Sequence, residues 1–187
     1  MAAIVSQVYA ADAAGACDRV TPMTSLTDPE HLLPCAERSC DVVGIFLVDA
    51  RGWVLLQERD EHAPVAPEQW GIVGGHVEPG EHWPSAMRRE LLEETGLELH
   101  EGTLQIWYEG DLTPETKVRP ELRNHWQLWV GWVDLTDDDI VVGEGRRIVF
   151  VDPATVDELD LGEATAFYLT RFLASDTYRE LIAGSLR

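Results

Sequence analysis

The chain has 187 residues, 45% of them apolar, which suits one domain of ordinary size with a genuine buried core. Its 34 acidic residues against 14 basic ones leave a formal charge of -20, a field that repels DNA, RNA and anionic membrane surfaces and sets them aside as expected partners. The same field repels a phosphorylated small molecule, so an anionic substrate needs a bound cation and a few well-placed arginines to enter.

The opening MAAIVSQVYAADAAGACDRV has neither the basic start nor the long apolar core of a secretory leader, and no apolar run approaches the roughly 20 residues that span a bilayer; the expectation is a cytoplasmic protein. Residues 1–40 are rich in Ala, Asp, Pro, Thr and Ser without sustained periodicity and read as an N-terminal extension, with the domain proper at 41–187. Three cysteines, Cys17, Cys35 and Cys40, are odd in number at unremarkable spacing and read as free thiols. The domain opens with two apolar runs, Val42 to Val48 and Trp53 to Leu56, flanking Asp49-Ala50-Arg51-Gly52, which predicts a β-hairpin. After a loop at His62 to Pro67, the stretch Pro84 to Thr95 reads as a helix stopped by Gly96. Thr103 to Tyr108, His125 to Val133 and Arg147 to Val151 read as strands, and Glu163 to Ile182 as one helix with a break near Ser175 as the alternative. Strands, helix, strands and helix in this order predict a mixed α/β domain with helices packed on a sheet.

Glu90, Glu93 and Glu94 stand at i, i+3 and i+4 of the first predicted helix, so their carboxylates leave one face within about 6 Å of one another. Like charges at that spacing cost a helix roughly 0.2 to 0.5 kcal/mol per pair, an arrangement that makes sense if a cation fills the gap. Hard oxygen ligands without His or Cys select Mg²⁺, Mn²⁺ or Ca²⁺ over zinc, and Mg²⁺, which shares its shell between carboxylates and substrate phosphates, resolves the charge problem of an anionic substrate. Upstream, Gly74-Gly75 lets the backbone approach the helix, and the Gly75 carbonyl is a further oxygen ligand. Lys117, Arg119 and Arg123 form the densest basic cluster and are candidate phosphate contacts, with a solvated charged loop as the plain alternative.

Gly75, Glu81, Arg89, Glu90, Leu91, Glu93, Glu94, Gly96 and Leu97 fill every fixed position of the pattern Gly, five residues, Glu, seven residues, Arg-Glu-apolar-x-Glu-Glu-x-Gly-apolar. In this the chain resembles the Nudix hydrolases, over about residues 41 to 185. The resemblance implies the Nudix α/β/α sandwich with a mixed sheet, and a loop, helix and loop that bind divalent metal, Mg²⁺ or Mn²⁺. It implies that Glu90, Glu93 and Glu94 bind metal, that Glu90 or an acid outside the box assists as general base, and that Glu81 and Arg89 hold the box together. It points to Glu144, between Gly143 and Gly145, as an additional acid, and to Arg59 as a substrate contact. The implied reaction is attack of water on a phosphorus of a nucleoside diphosphate linked to another group. The substrate is then a small-molecule nucleotide: a triphosphate, a nucleotide sugar or an ADP-ribose type compound. Trp107, Trp126, Trp129 and Trp132 are either base-stacking or core residues, and a homodimer stays open because related domains are frequently dimers. Two other readings are a catalytically silent nucleotide-sensing Nudix module and an isopentenyl diphosphate isomerase. The intact glutamates speak against the first, and Gly74-Gly75-His76 in place of a Cys-Gly-His arrangement speaks against the second.

Overall fold

The structure is a computed structural model, and it describes residues 39–100, 102–112 and 124–184. Arg119 and Arg123, with Lys117, and nearly all of the 1–40 extension lie outside the described residues.

The first strand, β1 (Cys40–Val48), is buried along nearly its whole length. Its side chains alternate between two cores: Val43, Ile45 and Leu47 face one, Phe46 and Val48 the other. A strand apolar on both faces belongs in the middle of a sheet with helices on either side. β1 runs parallel to β5 (Asn124–Trp132), from Cys40 opposite Asn124 to Val48 opposite Trp132, and β4 (Gln105–Leu112) extends that side antiparallel to β5, with a bulge between Ile106 and Tyr108. On the other side β2 (Val54–Glu58) pairs with β3 (Trp70–Gly71) and with β6 (Arg147–Val151). The order is β3-β2-β1-β5-β4, with β6 on β2.

Helix α1 (Trp83–Thr95) covers one face through Ala86, Met87 and Leu91, against Val43, Ile45 and Leu47. On the opposite face α2 (Glu163–Leu173) and α3 (Asp176–Ala183) bury Tyr168, Leu169, Phe172 and Leu181 against Phe46, Leu128 and Val130. The architecture is thus an α/β/α sandwich around a mixed sheet. The tail is two helices, and the break is physical: Ser175 caps α3 by accepting from the Tyr178 N–H.

Two expectations change. The hairpin turn forms, with the buried Asp49 side chain accepting from the N–H groups of Arg51 and Trp53 at 2.8 and 2.9 Å, but β1 and β2 pair only at Val48 and Val54. The rest of that edge of β1 takes the segment after β3 instead: Ile45 N–H donates to the Val73 carbonyl and Val43 N–H to that of Gly75, at 2.8 and 2.9 Å. The free-thiol reading fails at Cys40, which is disulfide-bonded; an odd count says nothing about which thiols meet.

Candidate active site

The ladder that diverts the chain after β3 onto β1 lays Gly74 and Gly75 alongside α1. Gly74 has φ 136°, a region that side chains rarely adopt. A Cβ on Gly75 would lie 2.6 Å from a Glu90 carboxylate oxygen, so a larger residue here would displace that carboxylate. α1 starts one residue before its predicted Pro84 and ends at Gly96, whose φ of 70° turns the chain away while its N–H still donates to the Leu92 carbonyl. With Ala86, Met87 and Leu91 in the core, the helical period turns Glu90 and Glu94 toward Gly74-Gly75, and Glu93 toward solvent.

Arg89 is the hub of this end. Its Nε and Nη2 grip Glu81 Oε1 and Oε2 at 3.0 and 2.9 Å, and Nη2 also donates to the His76 carbonyl at 2.9 Å. Nη1 reaches Glu90 Oε1 at 2.8 Å and Glu93 Oε2 at 3.1 Å. The bidentate bond from Arg89 holds the Glu81 carboxyl below its usual range, and the same bond raises Arg89 further above its own. Part of the like-charge strain on α1 is therefore offset by an arginine within the helix.

Glu94 is only 3% exposed and accepts from the Gly74 N–H at 3.0 Å through Oε2. Burial pushes its carboxyl up to about 8, the charges of Glu144 and Glu90 push the same way, and the Gly74 N–H and Arg59 oppose them. Burial also raises Glu90, with Arg89 opposing. Among the described residues each of the three glutamates spends one oxygen on these bonds, which leaves Glu90 Oε2, Glu93 Oε1 and Glu94 Oε1 as further acceptors.

Glu144 arrives from the loop before β6. The Gly143 N–H donates to the Glu94 carbonyl at 2.8 Å and the Val141 N–H to that of Thr95 at 2.9 Å, so the loop docks on the C-terminal carbonyls of α1. A Cβ on Gly143 would fall 1.8 Å from the Glu93 carbonyl oxygen. The Glu144 side chain is 60% exposed, with Oε1 3.9 Å from Arg59 Nη2. Arg59 in turn is 18% exposed, its Nη1 donates to Gln57 Oε1 at 3.3 Å, and its buried Nε has no hydrogen-bond partner among the described residues. Gln57, which the sequence did not single out, also donates to the Glu144 carbonyl at 3.2 Å.

The acceptors at this end are oxygens alone, the chemistry that suits Mg²⁺ or Mn²⁺, and Gly75 passes close to the Glu90 carboxylate while its carbonyl accepts from the Val43 N–H. Among the described residues no three His, Cys, Asp or Glu side chains already stand at metal-holding spacing, and Arg89 shares Glu90 and Glu93 with any cation that comes. A concavity of about 860 Å³ runs along a different side of α1 past Met87, Leu92, Leu97 and Trp129, and none of Glu90, Glu93, Glu94 or Glu144 lines it. Trp107, Trp126 and Trp132 pack on the α2 side and Trp129 on the α1 side, so the tryptophans sit against the two cores.

Comparison with known proteins is decided by the match of residues 38–172 to the NUDIX domain. The chain belongs to the NUDIX family. Among similar NUDIX relatives, the RNA pyrophosphohydrolase of Caulobacter vibrioides is 34% identical over 116 residues, 59% of this chain, and the chain spans 62% of that relative's length. The nucleoside triphosphatase NudI of Enterobacter sp. is 28% identical over 128 residues, 67% of this chain and 91% of that one. The crystal structure of the MutT protein from Methanosarcina mazei Go1 superposes with a TM-score of 0.59 at 20% identity, over 72% of this chain and 93% of that one. The NUDIX domain of Shewanella oneidensis NrtR, in its complex with ADP ribose, does so with a TM-score of 0.58 at 15% identity, over 80% and 100%. These two structures support the NUDIX fold found here.

Proposed function

We propose that the protein hydrolyses a phosphoanhydride bond in a nucleoside diphosphate linked to another group, in the cytoplasm, on a nucleoside triphosphate, a nucleotide sugar or an ADP-ribose type compound. The observation that carries this reading is the meeting of Glu90, Glu94, Gly74-Gly75 and the Glu144 loop at one end of α1, in a member of a family whose relatives include a pyrophosphohydrolase and a nucleoside triphosphatase. Glu90, Glu93, Glu94 and the Gly75 carbonyl hold the divalent cation, Mg²⁺ or Mn²⁺. When bound, that cation offsets charge on the phosphate oxygens and makes water a better nucleophile. Glu144 is exposed and takes the proton of the attacking water; Glu81 and Arg89 keep the glutamates in place. Arg59 meets the substrate phosphates, and Arg119 and Arg123, outside the described residues, belong to the same proposed contact.

The test is a panel of nucleoside triphosphates, nucleotide sugars, ADP-ribose and dinucleoside polyphosphates, assayed with Mg²⁺ and with Mn²⁺. Metal-dependent release of two phosphate-containing products from at least one compound is expected. Inactivity across the panel would overturn the hydrolase reading in favour of a nucleotide-sensing module.

A further inference from the structure

Gln57 is the penultimate residue of β2, fully buried, and follows the core residues Val54, Leu55 and Leu56. A buried amide is costly unless its polar atoms are bonded, and an apolar side chain of similar size would serve packing better. Both ends of this amide are bonded to residues of the candidate site. Nε2 donates to the main-chain carbonyl of Glu144 at 3.2 Å, and Oε1 accepts from Arg59 Nη1 at 3.3 Å.

The need for such a spacer follows from how Glu144 is held. Its side chain projects toward solvent, so its place is set through its backbone. On one flank Gly143 is pressed against α1, its N–H on the Glu94 carbonyl. On the other, Gly145, at φ 78°, turns so tightly over β2 that a Cβ there would meet the Glu58 carbonyl at 2.8 Å and Gln57 Cγ at 3.1 Å. The Arg146 N–H then bonds the Glu58 carbonyl at 2.7 Å. Between these two backbone anchors, the bond to Glu144 itself comes from a side chain, that of Gln57. The β2–β6 register, with Gln57 opposite Ile148 and Glu58 opposite Arg147, brings the loop over this side chain.

We propose that Gln57 is a positioning residue that sets the separation of Glu144 from Arg59: one amide fixes the acid-bearing loop with its donor end and the guanidinium with its acceptor end. The inference rests on the proposed place of Glu144 in the active site, where its carboxylate, besides taking the water proton, adds negative charge beside the cation held by Glu90, Glu93 and Glu94. Loss of the amide should let both groups drift, weakening the cation site through one and phosphate binding through the other.

The experiment compares wild type, Gln57→Met, Gln57→Asn, Glu144→Gln and the double variant Gln57→Met with Glu144→Gln. Binding of Mg²⁺ alone and of inorganic triphosphate alone is measured by calorimetry, and folding by melting. Gln57→Met should bind Mg²⁺ and inorganic triphosphate each about tenfold more weakly, and the double variant should bind Mg²⁺ no more weakly than Glu144→Gln, because the effect of Gln57 on the cation passes through Glu144. Gln57→Asn, which keeps the amide but falls one methylene short, should show the same losses and serves alone if the Met variant does not fold. Folded Gln57 variants that bind both probes as the wild type does, or losses from Gln57→Met and Glu144→Gln that simply add, would overturn the proposal. If Glu144→Gln itself leaves Mg²⁺ binding untouched, the assignment of that acid fails instead, a result distinct from failure of the Gln57 variants alone.

Discussion

At the scale of single residues, Glu94 carries the sharpest prediction. Its carboxylate is buried and bonds the Gly74 N–H, a position where charge is costly unless a cation repays it. Glu94→Gln keeps the shape and an acceptor for that N–H while removing the charge. Hydrolysis with Mg²⁺ should fall by about 10²–10⁴-fold, the rise in melting temperature that Mg²⁺ adds beyond NaCl of matched ionic strength should disappear, and the melting temperature without metal should not drop. Turnover assays and melts with and without Mg²⁺ check all three; wild-type turnover would sink the assignment of Glu94 to the cation. The acidic cluster was legible because spacing alone places Glu90, Glu93 and Glu94 on neighbouring positions of one helix; that Glu90 and Glu94 face Gly74-Gly75 while Glu93 faces solvent is decided by the packing of α1. Gln57 was not legible, because a lone glutamine beside Glu58 and Arg59 at a strand end reads as the start of a polar turn. Its bond to the Glu144 loop joins positions 87 apart in sequence, a contact that no local pattern announces.

At the scale of elements, the helices and the exposed strands were legible from local pattern, and pairing was not. The Asp49-Ala50-Arg51-Gly52 turn announces a hairpin, yet the long partner of β1 is β5, parallel and more than 80 residues away. The evidence for that was the unbroken apolar run of β1, a mark of a strand covered on both faces, which names no partner. The turn itself still matters. Asp49→Ala should strand the N–H groups of Arg51 and Trp53 and cost about 1–3 kcal/mol, a loss of roughly 3–9 °C in melting temperature for a chain of this size; an unchanged melting point would show that the turn is held by the strands alone. The β4–β5 edge supplies a pH-dependent element. His125 on β5 sits with Nδ1 2.8 Å from Asp111 and Nε2 3.6 Å from Glu109, both on β4, and the bond to Asp111 is the main cause that raises it above its ordinary 6.5. A histidine whose folded value is raised adds stability below about 6.5 that is lost as pH rises through the folded value. The side chain is 37% exposed, so after solvent screening the effect is a fraction of a kcal/mol, about 1–2 °C. Melting curves from pH 5.5 to 8.5 should show wild type losing that increment relative to His125→Gln above about pH 6.5; parallel curves would show that the cross-strand pair contributes nothing.

For the whole molecule the governing fact is the formal charge of -20. Local pairs such as Arg89 with Glu81 and Arg146 with Glu58 and Glu61 are attractive, but 14 cations cannot neutralise 34 anions, and the remainder repel across the entire surface. Salt acts on the two contributions differently. Raising NaCl from 10 to 150 mM shortens the screening length from about 30 Å to about 8 Å, which removes most of the long-range repulsion while leaving contacts near 3 Å only modestly weakened. The melting temperature should therefore rise with NaCl over this range, by a few degrees, the opposite of what a chain stabilised mainly by surface ion pairs would do. Mg²⁺ at matched ionic strength should add a further increment that Glu94→Gln abolishes, because part of its effect belongs to the end of α1 and part to the surface at large. Melting in matched NaCl and MgCl₂ series separates the two. A fall in melting temperature with NaCl would mean that the arginine pairs outweigh the net charge, and an identical response of wild type and Glu94→Gln to Mg²⁺ would leave the divalent effect to screening alone.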